Sequence, residues 1–568
     1  MFYKVLSVLI VTLFLSSVLV DNVFCAQMSY DKKVQVIKNI TGGDSNIKKG
    51  GTLVYEAYEP NHLNPITYRQ VGSIEILQNW VFETLLDTDV VTGDDIPRIA
   101  KAWAISEDGL GFTFWIDERA KWFDGKPITA EDVKFSFEVF SMPGADSALR
   151  QAQASVFSKI EIPEQGVIKF TAKTRLFSNF EFLGSTLILP KHLYYYKNPE
   201  KLSNNQYTKL PKGSGAYYVK SWVKGDKAVL AKNNNYWGHV LPQNVGAYNF
   251  DQIVIRYIRD PQMAFEKVKK GDLDYMPIRI GNTELWRQTR TDKAFLSGKV
   301  RALAVSSKLQ QGYGFIAYNI NNKIFKDKRV RVALGKAVNR EEMIKKSLDN
   351  LATIPHGPLY SVDNFEGKFK PVSYDPAGAL KDLAEAGWKD TDGDYILDKE
   401  GTKLAFTVIV PNSRIEKEML FIQNYWKQIG VQATVKILEY STWRQLQDQK
   451  KFDAVSNGKG RSFHARGVDP YSEWHSDNIP SGLGNYYGYS NSEVDALIVK
   501  GRQEFDIRKR KKIFDQVNDM IANEYVMFQY SESKYSLHAI SSNILLPEHQ
   551  GKNWYPYVFG MKYWSKKL

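Results

Sequence analysis

Up to about residue 311, short β-branched and aromatic runs bounded by Gly, Pro and Asn predict strands at Thr52–Tyr58, Gly111–Asp117, Val167–Thr171, Ala228–Leu230 and Ile253–Ile258. Between them, apolar residues at helical spacing predict a helix through Ile74, Leu77, Trp80, Val81 and Leu85, and another over Pro261–Lys270 closed by Gly271. A third follows the turn Asp124-Gly125, with Thr129 as N-cap and Asp132 completing a partial capping box. Its apolar face is Val133, Phe137 and Phe140. From Gly312 onward strand and helix alternate. Strand Tyr313–Asn319 leads to a helix capped by Asp327. Asp375-Pro376 opens a helix that Gly387 stops. Strand Leu404–Val410, helix Glu416–Ile429, strand Gln432–Leu438 and helix Thr442–Gln449 then give a βαβα run. Helices Ser492–Gly501 and Ile507–Asn523 and a strand at Tyr525–Tyr530 close the pattern.

The first 20 residues break this rhythm. One positive charge at Lys4 precedes an uncharged apolar run from Val5 to Val20, shorter than the roughly 20 residues that a spanning helix needs. A secretory signal ending at Cys25 fits, with Val23 and Cys25 at the small-residue positions. A lipid-attached Cys25 and an uncleaved anchor are the alternatives, and Asn22-Val23-Phe24 lacks the small residues that lipid attachment wants. No later segment is apolar enough to span a bilayer, so the exported chain is expected to be soluble. Cys25 is the only cysteine. The exported part therefore has neither disulfide nor thiolate chemistry, and its size makes staples unnecessary.

Composition alters this picture little. The 76 basic and 63 acidic residues give a net charge of +13, spread along the chain. The one basic cluster, Arg508 to Lys512, lies on a patterned helix and reads as a solvated face, not a nucleic-acid patch. Aromatics make up 13 % of the residues, enough to serve both core and a ligand-facing lining. No His-Glu-x-x-His, Gly-x-Ser-x-Gly or Walker loop occurs. Asp390-Thr391-Asp392-Gly393-Asp394 begins like a calcium loop, but Tyr395 stands where an EF-hand needs glycine, so a polar turn is expected.

Several stretches together resemble the family 5 extracellular solute-binding proteins, the peptide-type receptors of bacterial ABC importers. They are Ile96 to Trp103 with Ser106-Glu107-Asp108-Gly109, Asp124 to Phe137, Gly213 to Tyr217, Asn235-Tyr236-Trp237, Phe325 to Arg340 and Tyr374 to Asp394. They occur in family order over about residues 50–530. Tyr236-Trp237-Gly238, Leu241-Pro242 and Tyr248 to Asp251 look most like the subgroup of the oligopeptide receptor YejA.

The resemblance implies a two-lobed α/β periplasmic binding protein of type II, cluster C-like, with mixed sheets and a hinge of two crossover strands. It implies a signal peptide over 1–25, a flexible lead-in over 26–50, and lobe one over 51–311 including an extra subdomain. Lobe two would cover 312–529, and 530–568 would return to lobe one. The implied function is to bind oligopeptides in the inter-lobe cleft by hinge closure and deliver them to a membrane permease. Such a protein is periplasmic and monomeric, has no cofactor, metal or catalytic residue, binds no nucleic acid, and meets the membrane only through the importer. A non-peptide or anionic ligand on the same scaffold, and a secreted hydrolase, are the alternatives.

Family dipeptide receptors meet the ligand amine with an Asp shortly before an Asp-Pro. Here Asp469-Pro470 matches, but Arg466 stands in the expected place, and a guanidinium cannot accept from an ammonium. Arg466 suits an anionic ligand group instead. The other cleft candidates are Tyr58, His62 and Asn64 after the first strand, Ser214 in the glycine turn, Tyr313 and Asn319 near the crossover, Arg414 opening a helix, and Trp474 and Tyr487 in second-lobe loops.

Overall fold

The computed structural model describes residues 47–67, 71–89, 94–141, 154–195, 206–279, 282–305, 312–359, 366–459, 469–480, 484–546 and 560–567. The proposed signal, most of the lead-in and Arg466 lie outside them.

The principal strands are, in chain order, β1 (Thr52–Glu56), β2 (Ala100–Ile105), β3 (Gly111–Ile116), β4 (Phe157–Glu164), β5 (Val167–Ala172), β6 (Tyr217–Val223), β7 (Lys227–Lys232), β8 (Gln252–Arg256), β9 (Tyr275–Ile278), β10 (Val300–Val305), β11 (Tyr313–Tyr318), β12 (Ala352–Thr353), β13 (Ala405–Val410), β14 (Gln432–Ile437), β15 (Ala454–Lys459), β16 (Met527–Ser533) and β17 (Ser536–Ser541). They form a seven-stranded sheet in the order β10-β17-β9-β1-β8-β7-β6, a six-stranded sheet in the order β12-β16-β11-β15-β13-β14, and a four-stranded sheet in the order β2-β3-β5-β4. The first two are mixed. In the first, β1 runs parallel to β8 and β9 while β7 and β17 run antiparallel to their neighbours. In the second, β13 runs parallel to β14 and β15. This is the mixed α/β, two-lobed architecture of periplasmic binding proteins. The chain leaves the first sheet after β10 and returns to it between β16 and β17, across Lys534 and Tyr535.

Local chemistry explains several elements. The helix Ala130–Glu138 (α1) has a full capping box: Asp132 N–H donates to Thr129 Oγ1, and Thr129 N–H donates to the Asp132 carboxylate at 2.9 Å. The same carboxylate accepts from Lys191 N–H at 2.9 Å, which ties the helix start to the first residue of the short helix Lys191–Tyr194. The predicted helix through Leu85 ends sooner. It runs as Val71–Ile76 and then as a π-turn over Leu77–Val81. There the carbonyls of Trp80 and Val81 face the turn Gly213-Ser214-Gly215, and Gly215 N–H donates to Val81 O at 2.9 Å. A Cβ on Gly213 would fall 2.3 Å from Val81 O, so this close backbone approach needs glycine. Tyr236 and Trp237 also have a structural role. Both donate at 2.7 Å to the carboxylate of Glu83, which is fully buried and also holds Arg98 at 3.2 Å.

The helix Ile507–Glu524 carries the basic cluster, but Arg510 is not on a solvated face. It is buried, donates to Glu504 O at 2.8 Å and lies 4.0 Å from the centroid of Phe177. Nearby Phe505 packs on Phe112, and Arg175 Nε donates to O of Gln503, the last residue of the preceding helix Ser492–Gln503, at 3.1 Å, so the junction of the two helices lies against the four-stranded sheet. Tyr525 caps the helix at φ 51°, and the strand predicted from there begins two residues later.

Candidate functional site

A cavity of about 690 Å³ lies between the seven-stranded and six-stranded sheets. On the first side it meets Glu56 to Glu59 after β1, Tyr257 to Arg259 after β8, and Arg279 after β9. On the second it meets Asn412 to Arg414 after β13 and Gly458-Lys459 at the end of β15, together with Gly312 to Gly314, Ser531 and Ser533. Both walls are thus built at the carboxyl ends of parallel strands, where open α/β sheets bind ligands.

On the first wall, Arg279 makes a two-pronged pair with Glu56, at 3.1 and 3.3 Å. Its guanidinium carbon sits 4.1 Å from the ring centroid of Tyr58, an aromatic left half exposed. Burial raises the carboxyl of Glu56 above its ordinary range, with Arg279 opposing. Behind it, Glu75 is buried and one of its carboxylate oxygens has no hydrogen-bond partner. Burial pushes Glu75 up to about 8, and the charge of Glu56 adds to the rise.

The second wall opens the helix Ser413–Gln428 (α2), capped by Asn412, whose side chain accepts from Ile415 N–H at 3.1 Å. Arg414 in its first turn pairs with Glu418 at 3.0 Å, and Tyr530 donates to the other oxygen of Glu418 at 2.8 Å. Tyr530 fits because residue 314 is glycine: a Cβ there would lie 2.4 Å from its ring. Lys459 pairs with Glu473, which also accepts from Tyr487 OH at 2.9 Å. In the three pairs Arg279–Glu56, Arg414–Glu418 and Arg259–Glu59 the cation is much the more exposed partner, 28 against 3 %, 41 against 8 % and 94 against 20 %. The walls are close to charge balance, yet the guanidinium groups face the opening and the carboxylates are recessed.

Of the residues singled out from sequence, Tyr58, Tyr313 and Arg414 line this cavity. Trp474 and Tyr487 stack on one another at 5.2 Å, fully buried behind Lys459 and Glu473. The remaining described candidates lie outside the cavity lining, and all but Ser214, whose buried hydroxyl has no hydrogen-bond partner among the described residues, are hydrogen-bonded within the protein. Asn319 donates to Lys450 O and Phe452 O, and Asn64 accepts from Ile66 N–H. His62 accepts from Asn64 N–H, and burial lowers its imidazole. Asp469 pairs with Arg502 at 2.9 Å and accepts from Tyr471 N–H. Ser214 is fully buried in the glycine turn. Glu56, Arg279, Glu418 and Lys459 escaped the sequence reading. Their one signal is position: Arg279 directly follows a strand, and Lys459 ends one.

The acidic turn brings Asp390, Asp392 and Asp398 together, but Lys403 donates to Asp392 at 2.6 Å and pairs with Asp394 at 2.9 Å. An ammonium already holds this turn.

A profile of the bacterial extracellular solute-binding proteins, family 5, matches residues 96–480. The chain belongs to that family. It is a solute-binding protein of the kind that serves ABC importers, not an enzyme. The oligopeptide-binding protein AppA of Bacillus subtilis is 30 % identical over 492 residues, 84 % of this chain and 85 % of AppA. Its structure with a nonapeptide superposes with a TM-score of 0.72, covering 92 % of this chain and all of AppA at 26 % identity. The peptidoglycan-binding protein YepA of Agrobacterium fabrum is 24 % identical over 543 residues, covering 85 and 86 % of the two chains. NikZ of Campylobacter jejuni, solved with Ni(L-His), shares the fold with a TM-score of 0.72, 24 % identity, and coverage of 91 % of this chain and 99 % of NikZ. Among the described residues no helix is long and apolar enough to cross a membrane.

Proposed function

We propose that this solute-binding protein takes up oligopeptides in the periplasm and presents them to the permease of an ABC importer. The observation that carries the reading is the cavity walled by both sheets. Its volume lies within the roughly 300–1,000 Å³ of small-ligand sites, and its polar groups converge from opposite sides. AppA, crystallised with a nonapeptide, supports the same reading. Lobe one would comprise residues 51–305 with the return from 536, and lobe two residues 313–533. The described link between β16 and β17, Lys534 and Tyr535, would form part of the hinge. Contacts made to cargo from both walls exist only when the lobes close, which is how cargo shifts the population toward the closed form. Arg414, at the N-terminal turn of α2, would meet an anionic end of the peptide, where the helix dipole adds to its charge. A YejA-like place within the family rests on the Tyr236 and Tyr248 segments alone.

A cell-wall peptide is the second reading, favoured by the outward-facing guanidinium groups and by the name of YepA. Mass spectrometry of cargo carried through gentle purification tests both. Peptides of mixed sequence support the first reading, and amino-sugar-bearing peptides the second. A melting temperature unmoved by a diverse peptide pool would count against the first.

A further inference from the structure

Arg279 is built into the first wall in a way that the general peptide reading does not require. It leaves the carboxyl end of β9, so it enters the cavity beside Glu56, which ends the neighbouring strand β1. Glu56 grips one edge of the guanidinium in two-pronged fashion, and the Tyr58 ring covers one face. Edge and face together fix the plane of the group, which is how arginine gains directional recognition of carboxylates. Glu56 is recessed while Arg279 remains 28 % exposed on the cavity wall. Arg414 stands on the other wall with its own recessed partner. Cargo carrying one anionic group would meet Arg414, and Arg279, held by Glu56, would face it from the other wall.

We infer that Arg279 is a specificity-determining residue, and that it selects peptides bearing an acidic side chain in addition to the terminal carboxylate. The inference rests on the peptide reading of the cavity. The acidic side chain would approach the guanidinium over the exposed Tyr58 ring. Closure of the lobes would then exclude water from an ion pair that open solvent would screen.

The test uses the exported full-length chain and a mixture of alanine pentapeptides carrying Glu, Gln or Lys at each position. Captured peptides are weighed by mass spectrometry after gel filtration. The wild type is expected to enrich Glu over Gln about tenfold at one position, the scale of a charge-assisted pair. Arg279→Gln should bring that ratio close to one while Gln peptides are still captured. Because Arg279→Gln leaves Glu56 buried without its cation, the pair variant Glu56→Gln/Arg279→Gln is measured beside it and should show the same loss of preference. Arg414→Gln should lower capture of all peptides alike. A wild-type ratio near one, or a ratio unchanged in both Arg279 variants, overturns the inference and leaves the peptide reading standing. Capture of no peptide by the wild type overturns both.

Discussion

The two walls of the cavity present the same group, a guanidinium held by a recessed carboxylate, on different foundations. On the second wall the supports link up in series. Arg414 meets Glu418, Glu418 meets Tyr530, and Tyr530 fills the space that Gly314 leaves. On the first wall Glu56 has Arg279 in front but a second buried carboxyl, Glu75, behind, one of whose oxygens lacks a partner. A satisfied network in a low-dielectric site is rigid, whereas a half-satisfied one carries a cost that changes with protonation. Burial raises the carboxyl in both pairs, Glu418 as well as Glu56, but the first wall adds the unpartnered Glu75 oxygen while the second adds the packed Tyr530 ring.

The largest test of that contrast is pH. Glu75 ordinarily titrates near 4.5 and is raised to about 8 in the fold. A raised carboxyl is favourable to the folded state below its unfolded value, and that contribution is lost as pH climbs through the folded one. Stability should therefore decline between about pH 4.5 and 8 from this group. Glu75→Gln keeps the shape of the protonated acid and removes the titration. It should be near neutral at pH 5 and stabilising by on the order of a few kcal/mol at pH 9. Urea unfolding at the two pH values reads the difference. An equal effect at both would mean that the first wall is not poised by charge.

The second wall should break by packing instead. Gly314→Ala places a methyl 2.4 Å from the Tyr530 ring, whose hydroxyl is tied to Glu418 and whose body is fully buried. Overpacking of this kind costs about 1–3 kcal/mol, and the displaced ring would release Glu418 and with it Arg414. The expected result is a lower unfolding midpoint together with weaker capture of peptide. Full stability with full capture would show that Tyr530 has room to move and that Arg414 is not held through it.

The same contrast explains what could be read from sequence. Elements set by neighbours along the chain were legible: the Thr129–Asp132 capping box, Asp375-Pro376 opening its helix, and Arg414 in the first turn after a strand. The fold class followed from the order of such pieces. Arg279 was not legible, because its meaning comes from Glu56 and Tyr58 more than 200 positions away, joined only by the register of β1 beside β9. The reverse ambiguity affects Asn319 and Asp469. A polar residue after a strand or in a loop looks alike whether it faces cargo or, as here, donates to Phe452 O or pairs with Arg502. The π-turn at Leu77–Val81 was hidden for a related reason, since the glycine turn that packs against its carbonyls comes from residues 213–215, far along the chain.

The smallest expected effect marks the edge of the site. Arg259 also lines the cavity, but it is 94 % exposed and its contact with Glu59 is 3.9 Å long. Exposed pairs of this type contribute roughly 0–1 kcal/mol and are screened by salt. Arg259→Ala should leave the unfolding midpoint unchanged within error. It should slow peptide association at low ionic strength by no more than about threefold, with no difference at high salt, since a rim charge steers encounters more than it holds the complex. Stopped-flow fluorescence at two salt concentrations separates these. A large rise in the dissociation rate would move Arg259 from the rim into the wall, and would make the first wall the richer in cargo-holding cations.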